Sequence, residues 1–335
     1  MILRNIFNGN LVNFNHKLKY IAKHEGKSIF FLYYKFLKCY FLIGCGYSDY
    51  LNYELYKKNK QEILEYVTIA TQDKFYEIVS PSAYKTFFTI KPNFLKNFAK
   101  YIQRDYITKE STLAQLKAFL KNNEYFIQKP IDGLGGSGVI KVYAKEIKNI
   151  NKYYQKIISE NLLLEEFVKQ HSKISAICNS CVNTIRVVSF VNKGQARIIF
   201  ACMRFGNGES NIDNFHQGGM AVLVNFEEGV LVGNAYDKNL NEYICHPKSG
   251  VKFDGFKIPN WESAKKTVLE AALVNQKIQV VGWDVAITQK GVTFIEGNRR
   301  PGFDLVQVLN KKGMKSLMSE IIAEINETSD AKYQI

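Results

Sequence analysis

Two acids lie inside apolar strand-like runs near the end of the chain, where burying an unpaired charge is costly. In "VVGWDVAITQKGVTFIEGNRRPGFD" (Val280 to Asp304), Asp284 occupies one apolar run and Glu296 the next. The turn "TQKG" between them predicts antiparallel neighbours. Alternation then puts Asp284 on a face with Gly282 and Ala286, and Glu296 on a face with Phe294 and Asn298. Two carboxylates and an amide oxygen are the hard donors that Mg²⁺ takes while bridging to phosphates. The bland alternative is an acid paired with Arg299 or Arg300. In "GNRRPGFD", Arg299 and Arg300 would neutralise developing negative charge, and Gly302 would offer a backbone N–H to an oxyanion.

A second candidate stands upstream. "YFIQKPIDGLGGSGVIKVY" (Tyr125 to Tyr143) places a glycine-rich loop between two strand-like runs, with Lys129 on the first. Gly133, Gly135 and Gly138 satisfy G-x-G-x-x-G, but a dinucleotide site needs a helix after the loop, and "VIKVYA" is β-branched. The G-K-[ST] ending of a P-loop is absent, as are the H-R-D and D-F-G of a protein kinase. What survives is either an unliganded hairpin turn or a flap whose backbone approaches phosphate oxygens, with Lys129 beneath it. Arg186, in "VNTIRVVSF", has a planar fork suited to a γ-phosphate, with a cross-strand ion pair as the alternative. "LLLEEFVKQH" ends a strand on Glu165 and Glu166, either a charged strand end or a segment offering main-chain groups to an adenine.

The surrounding composition is that of an ordinary globular chain: 335 residues, 46% hydrophobic, 23% charged, net charge +14. The lysines are scattered among abundant Asn, Ile, Tyr and Phe, as AT-rich codon usage would produce. The charge therefore does not by itself call for a nucleic-acid partner, and none is expected. "MILRNIFNGNLVNF" lacks the apolar core and cleavage site of a signal peptide, so a cytoplasmic location is expected. The most apolar segment, Ile29 to Tyr47, is interrupted by Lys35 and Lys38; it predicts a buried helix rather than a span. Its mixture of aromatics and lysines leaves a peripheral membrane contact open. "CNSC" (Cys178 to Cys181) has only His171 nearby, too few ligands for zinc. His246, before Pro247, reads as a turn residue, and His216 either contacts substrate or holds backbone.

The elements that must carry these residues divide the chain into three parts. Residues 1–85 read as helical, with Gly26 as a C-cap and Ser48 as the N-cap of a helix running through "SDYLNYELYKKNKQEILEYVTIA". Residues 86–170 hold the lysine strand and the flap, and residues 171–335 the strands with the two acids. "NKGQ", "EEG" and "QKG" join successive strand pairs as hairpins, and an amphipathic helix starts near Asn260 with Glu262 in its first turn. The class is α+β, with antiparallel sheets.

Taken in order, the lysine strand with its flap, the E-E segment, the strand arginine and the D…E-x-N cluster resemble the ATP-grasp superfamily. "VNTIRVVSF", "DNFHQGGMAVLV", "HPKSGVKFDGFKIPNW" and the stretch from Gly282 onward are similar to the sugar-transfer-associated ATP-grasp family of polysaccharide biosynthesis. The resemblance implies two α+β subdomains gripping ATP, preceded here by a helical region in place of a Rossmann-like domain. It implies Lys129, with Lys91 as an earlier partner, on the α/β phosphates; Gly135, Gly136, Ser137 and Gly138 as the flap; and Glu165, Glu166 and Val168 as the adenine hinge. Arg186 would face the γ-phosphate, and Asp284, Glu296 and Asn298 would hold Mg²⁺. The implied activity is ADP-forming carboxylate–amine ligation by way of an acyl phosphate, on an amino acid or amine and a sugar or sugar acid of a surface glycan such as a capsule. A sugar kinase or a non-enzymatic basic module is the alternative. No oligomeric state is implied.

Overall fold

The computed structural model describes residues 11–131, 138–208, 213, 215, 218–328 and 332–334. Gly135, Gly136, Ser137 and His216 lie outside them. The α+β class holds, with two antiparallel sheets and a helical N-terminal region.

The N-terminal region comprises α1 (Leu11–Glu25), α2 (Ile29–Ile43), α3 (Tyr47–Asn52), α4 (Lys60–Leu64) and α5 (Ile69–Val79). Gly26 ends α1 with φ +63°, the left-handed conformation expected of a C-cap. The single helix expected from Ser48 onward is broken instead. It starts at Tyr47, where the Asp49 carboxylate accepts from the Gly46 N–H at 2.9 Å, so Asp49 takes the capping role assigned to Ser48. It stops near Glu54, whose φ is 49°, and Asn59 and Glu62 cap a new helix reciprocally.

Asp49 is buried, and burial first, then Asp304, raises its pKa to about 6 despite the Gly46 N–H. A carboxyl raised above its ordinary 3.8 favours the native state while protonated, and this advantage disappears as pH climbs from about 4 to about 6. Asp49→Asn keeps the acceptor for Gly46 and removes the charge. It is expected to stabilise the protein by about 2 kcal/mol at pH 8 and by little at pH 4. Thermal melts at the two pH values check this; an Asn variant melting no higher than the parent at pH 8 would refute it.

After α6 (Thr86–Thr89) and α7 (Lys91–Asn97) the chain enters the smaller sheet. This contains β1 (Tyr106–Ile107), β2 (Tyr125–Pro130), β3 (Ile140–Tyr143) and β4 (Leu162–Glu166), in the order β1-β4-β2-β3. The helices α8 (Leu113–Asn122) and α9 (Ile150–Ser159) cover one side, with Leu116, Phe119, Phe126 and Ile157 in its own core.

Beyond the short α10 (Ser172–Ser175) come β5 (Ile185–Asn192), β6 (Gln195–Phe205), β7 (Met220–Asn225), β8 (Val230–Asp237) and β9 (Glu242–Tyr243). Then follow α11 (Trp261–Ala272), β10 (Val280–Thr288), β11 (Gly291–Asn298), α12 (Asp304–Asn310) and α13 (Lys315–Thr328). The seven strands run β11-β10-β5-β6-β7-β8-β9, and the three expected hairpins are all present. Asn260 precedes α11 as expected, but in a left-handed conformation and without a side-chain cap. One sheet face packs Trp283, Val285 and Phe294 against α11 and Phe88, Phe94 and Phe98. The other packs Val188, Phe200, Cys202 and Ala221 against the N-terminal helices and α12 and α13. The helical region is thus continuous with the core of the larger sheet.

Candidate active site

A cleft of about 570 Å³ separates the two sheets. Lys91, Lys129, Leu163 and Glu165 line it on the side of the small sheet, and Glu296, Gly297, Asn298, Arg299 and Arg300 on the other. Seven of the candidates identified in sequence, Lys91, Lys129, Glu165, Glu296, Asn298, Arg299 and Arg300, are therefore brought together from elements far apart in the chain.

On the small-sheet side, Lys129 pairs in register with Leu163, and Ile127 with Glu165, which sets Lys129 and Glu165 diagonally on one face. Their side chains form an ion pair. Lys91 starts α7 and donates to the Ile131 carbonyl at 2.6 Å, just past the end of β2. Gly138 has φ +73° and lies so close to Pro130 that a Cβ would come within 2.9 Å of its ring. The Glu166 carboxylate turns away from Glu165 and accepts from the Asp105 N–H at 3.1 Å, while Val168 is buried beyond the strand.

Arg104, which sequence reasoning missed, joins the two sides. Its Nε and Nη2 donate to Glu165 at 2.9 and 2.5 Å, its Nη1 donates to the Phe294 carbonyl, and its Nη2 also donates to Ile295 at 3.2 Å. Burial would raise the Glu165 pKa, but Arg104 and then Lys129 outweigh it and hold it at about 2. The sequence signal was a lone arginine in "KYIQRDYI", indistinguishable there from a surface residue.

On the large sheet, Asp284 and Glu296 are direct cross-strand partners, as are Gly282 and Asn298. The register shifts just beyond them, so that Val285 faces Phe294. The expected face of Glu296 is corrected by this bulge: Phe294 enters the core with Trp283, while Glu296 turns to the cleft beside Asp284. Asn298 donates to the Glu296 carboxylate at 3.0 Å.

Asp284 is nearly inaccessible, and its charge is met by arginines other than those expected. Arg186 donates to it in bidentate fashion at 2.5 and 3.0 Å, and Arg204 lies at 2.8 Å. The cross-strand alternative for Arg186 is therefore realised, and Arg299 and Arg300 are not the partners. Burial opposes ionisation of Asp284, but Arg186 and then Arg204 hold its pKa far below the usual carboxylate range. Glu296 opens onto the cleft by surface area, yet its carboxyl is hemmed in by protein, and this confinement followed by Asp284 raises its pKa against the weaker opposition of Arg186 and the Asn298 amide. Arg204 also donates to the Thr184 hydroxyl, which in turn hydrogen-bonds Asp213 at 2.5 Å. Arg204 was legible by the same criterion as Asp284, a charge inside an apolar strand.

Arg299 and Arg300 border the cleft but are held from behind by α5. Arg299 donates to the Ser80 carbonyl at 2.8 Å, and Arg300 pairs with Asp73 at 3.0 Å. Tyr76 donates to the Pro301 carbonyl, and the Phe303 N–H to Gln72 at 3.2 Å. Gly302 faces Asp304, whose carboxylate would meet a Cβ at 2.1 Å. His246 closes the turn it was expected to shape, accepting from Lys248 N and Ser249 N at 3.3 and 3.4 Å. Among the described residues no cluster of His, Cys, Asp or Glu has the make-up of a zinc site.

Two antiparallel sheets holding lysines and an acid across a cleft from an Asp–Glu–Asn cluster constitute the ATP-grasp fold. The sequence model of the family described as sugar-transfer associated ATP-grasp matches residues 59–323, and the chain belongs to that family. Among solved structures it is similar to ATP-grasp ligase PsnB complexed with a phosphomimetic variant of minimal precursor, Mg and ADP. That match has 15% identity, a TM-score of 0.45, and covers 74% of this chain and 62% of that chain. D-alanyl-alanine synthetase A from Vibrio cholerae O1 biovar eltor str. N16961 matches at 13% identity and TM-score 0.43, covering 72% and 66% of the two chains. D-alanine–D-alanine ligase from Bacillus anthracis matches at 13% and 0.41, covering 72% and 68%. The chain thus spans about three fifths of the PsnB chain. A comparison with curated proteins found no match.

Proposed function

We propose that the protein is an ATP-dependent ligase that joins a carboxylate to an amine, releasing ADP and phosphate. The observation that carries this reading is the cleft itself. Lys91 and Lys129 line one side of it, and Arg299 and Arg300 line the other beside the Glu296 and Asn298 oxygens. Such a site suits a polyphosphate accompanied by a divalent cation.

The donor set fits Mg²⁺. Asp284 and Glu296 stand side by side; two guanidinium groups already hold Asp284, whereas Glu296 lines the cleft, and a cation bound there would offset the confinement and the Asp284 charge that raise its pKa. Asp284, Glu296 and Asn298 would hold the ion, and when bound it neutralises phosphate oxygens. Lys129 would exchange Glu165 for α/β phosphate oxygens, with Lys91 beside it. Glu165, Glu166 and Val168 bound the strand end proposed to meet adenine, and the segment Gly135–Gly138 is the proposed flap. Arg186 acts first on Asp284, fixing its carboxylate. Arg299 and Arg300, anchored by α5, would meet the reacting carboxylate.

In the proposed reaction a carboxylate oxygen attacks the γ-phosphorus, the bond to the β-phosphate oxygen breaks, and ADP leaves. The amine then attacks the acyl carbon, losing a proton, and phosphate departs with the bonding pair. One substrate is proposed to be a sugar or sugar acid and the context a surface glycan; the words "sugar-transfer associated" in the family description point toward sugar chemistry. Among the described residues no helix is long and apolar enough to cross a membrane.

The test is ADP release across a panel of amino acids, amines and sugar acids, with hydroxylamine present to trap an acyl phosphate. ADP release that requires a carboxylate and yields a hydroxamate is expected. A stable phosphorylated sugar with no hydroxamate would replace the ligase with a kinase.

A further inference from the structure

The outer face of α2 is a surface that the proposed chemistry leaves unused. The segment was expected to be a buried helix, but only one stripe is buried, at Leu32, Phe36 and Cys39. Phe30, Tyr34, Leu37 and Phe41 recur at helical spacing on the opposite side and are 82%, 62%, 52% and 80% exposed. A row of four large side chains on one helix face differs from scattered surface apolar residues and marks a contact surface.

The charge around this row selects what it contacts. From Leu11 to Tyr47 the chain has six lysines and a single acid, Glu25, which pairs with Lys57 at 2.7 Å. Lys35 turns inward to the Lys58 carbonyl at 2.7 Å. Lys17, Lys19, Lys23 and Lys38 are exposed on α1 and α2. A second copy of the chain would bring the same cationic surface against this one, which like charges oppose. An anionic partner is favoured. Aromatic side chains in a row with lysines beside them suit the boundary of a lipid bilayer, where rings enter the acyl region and ammonium groups remain at the headgroups. At 15 residues, α2 is too short to span and would lie in the plane of the interface.

We propose that α2, with the lysines of α1 beside it, docks the protein on an anionic membrane surface. The inference does not depend on the ligase reading. It is tested by flotation of the full chain with vesicles of phosphatidylcholine alone or containing about one third phosphatidylglycerol. Binding to the anionic vesicles only, reduced when NaCl is raised from about 0.1 to about 0.5 M, is expected. Phe30→Ser combined with Phe41→Ser should weaken binding by about tenfold or more without changing the melting temperature, because both rings are already in water. Lys23→Glu combined with Lys38→Glu should weaken it similarly and provides a second test should the first variant misfold. Absence of flotation, equal flotation on phosphatidylcholine alone, or undiminished binding by both variants would overturn the proposal. So would light scattering that shows a dimeric parent and a monomeric Phe30/Phe41 variant, since the face would then join two copies.

Discussion

Glu296→Gln is expected to lower Mg²⁺-dependent ADP formation by about a thousandfold, equivalent to about 4 kcal/mol of transition-state stabilisation. Glutamine preserves the volume of the side chain and an oxygen for Asn298, but not the charge that would hold a divalent cation. The same substitution removes a like-charge contact with Asp284, the second cause of the raised Glu296 pKa. Stability should therefore stay level or rise while activity falls, which separates a functional acid from a structural one. Asp284→Asn supplies the contrast. There the charge is the counterion of Arg186 and Arg204, and its loss takes the carboxylate from Arg186 and leaves Arg204 with Asp213, at 3.7 Å, and the Thr184 hydroxyl. That variant should lose activity and also about 3–5 kcal/mol of stability. Initial-rate ADP release and denaturant unfolding of both variants decide the matter. Activity within about threefold of the parent in Glu296→Gln would remove Glu296 from the proposed metal site.

The parts of the site visible in sequence are those where a residue contradicts its local surroundings. Asp284, Glu296 and Arg186 are charges inside apolar strands, and an interior strand position admits them only with a partner. The turn "TQKG" then made the two acids neighbours, as the structure has them. Which partner each charge takes was not legible, because it depends on strand order. Asp284 meets Arg186 and Arg204 since β10 lies beside β5 and β5 beside β6, while the nearby Arg299 and Arg300 are drawn off by α5. The bulge that separates Glu296 from Phe294 is equally non-local: the carbonyls around it are held by Arg104, 190 and 191 residues away in the chain. The break after α3 has a different origin. Asn59 and Glu62 offered a capping signal in plain view, but the apolar spacing on either side of "KKNK" is compatible with one continuous helix.

Arg104 gives rise to the second large expected effect. Its guanidinium occupies the seam between the two sheets: one edge meets Glu165 on β4, and the other meets the Phe294 and Ile295 carbonyls on β11. Arg104→Met retains much of the stem's bulk and forfeits every donor. Glu165 is then left with Lys129 as its remaining charged partner among those that lower its pKa, and two main-chain carbonyls lose a charged donor. Removing one member of a buried pair of this kind costs about 3–5 kcal/mol. The consequence for function is specific, because Lys129 would become bound more firmly to Glu165 at the moment ATP must draw it away. A raised KM for ATP is therefore expected on top of the stability loss. The double change Arg104→Met with Glu165→Met tests the origin of the effect. With the orphaned charge gone, it should recover a large share of the lost stability, so that the two single-variant losses sum to clearly more than the double-variant loss. The KM for ATP need not recover with it, since Glu165 faces the cleft in its own right. If Arg104→Met loses less than about 1 kcal/mol, or the losses simply add, the seam is held by packing and not by this ion pair.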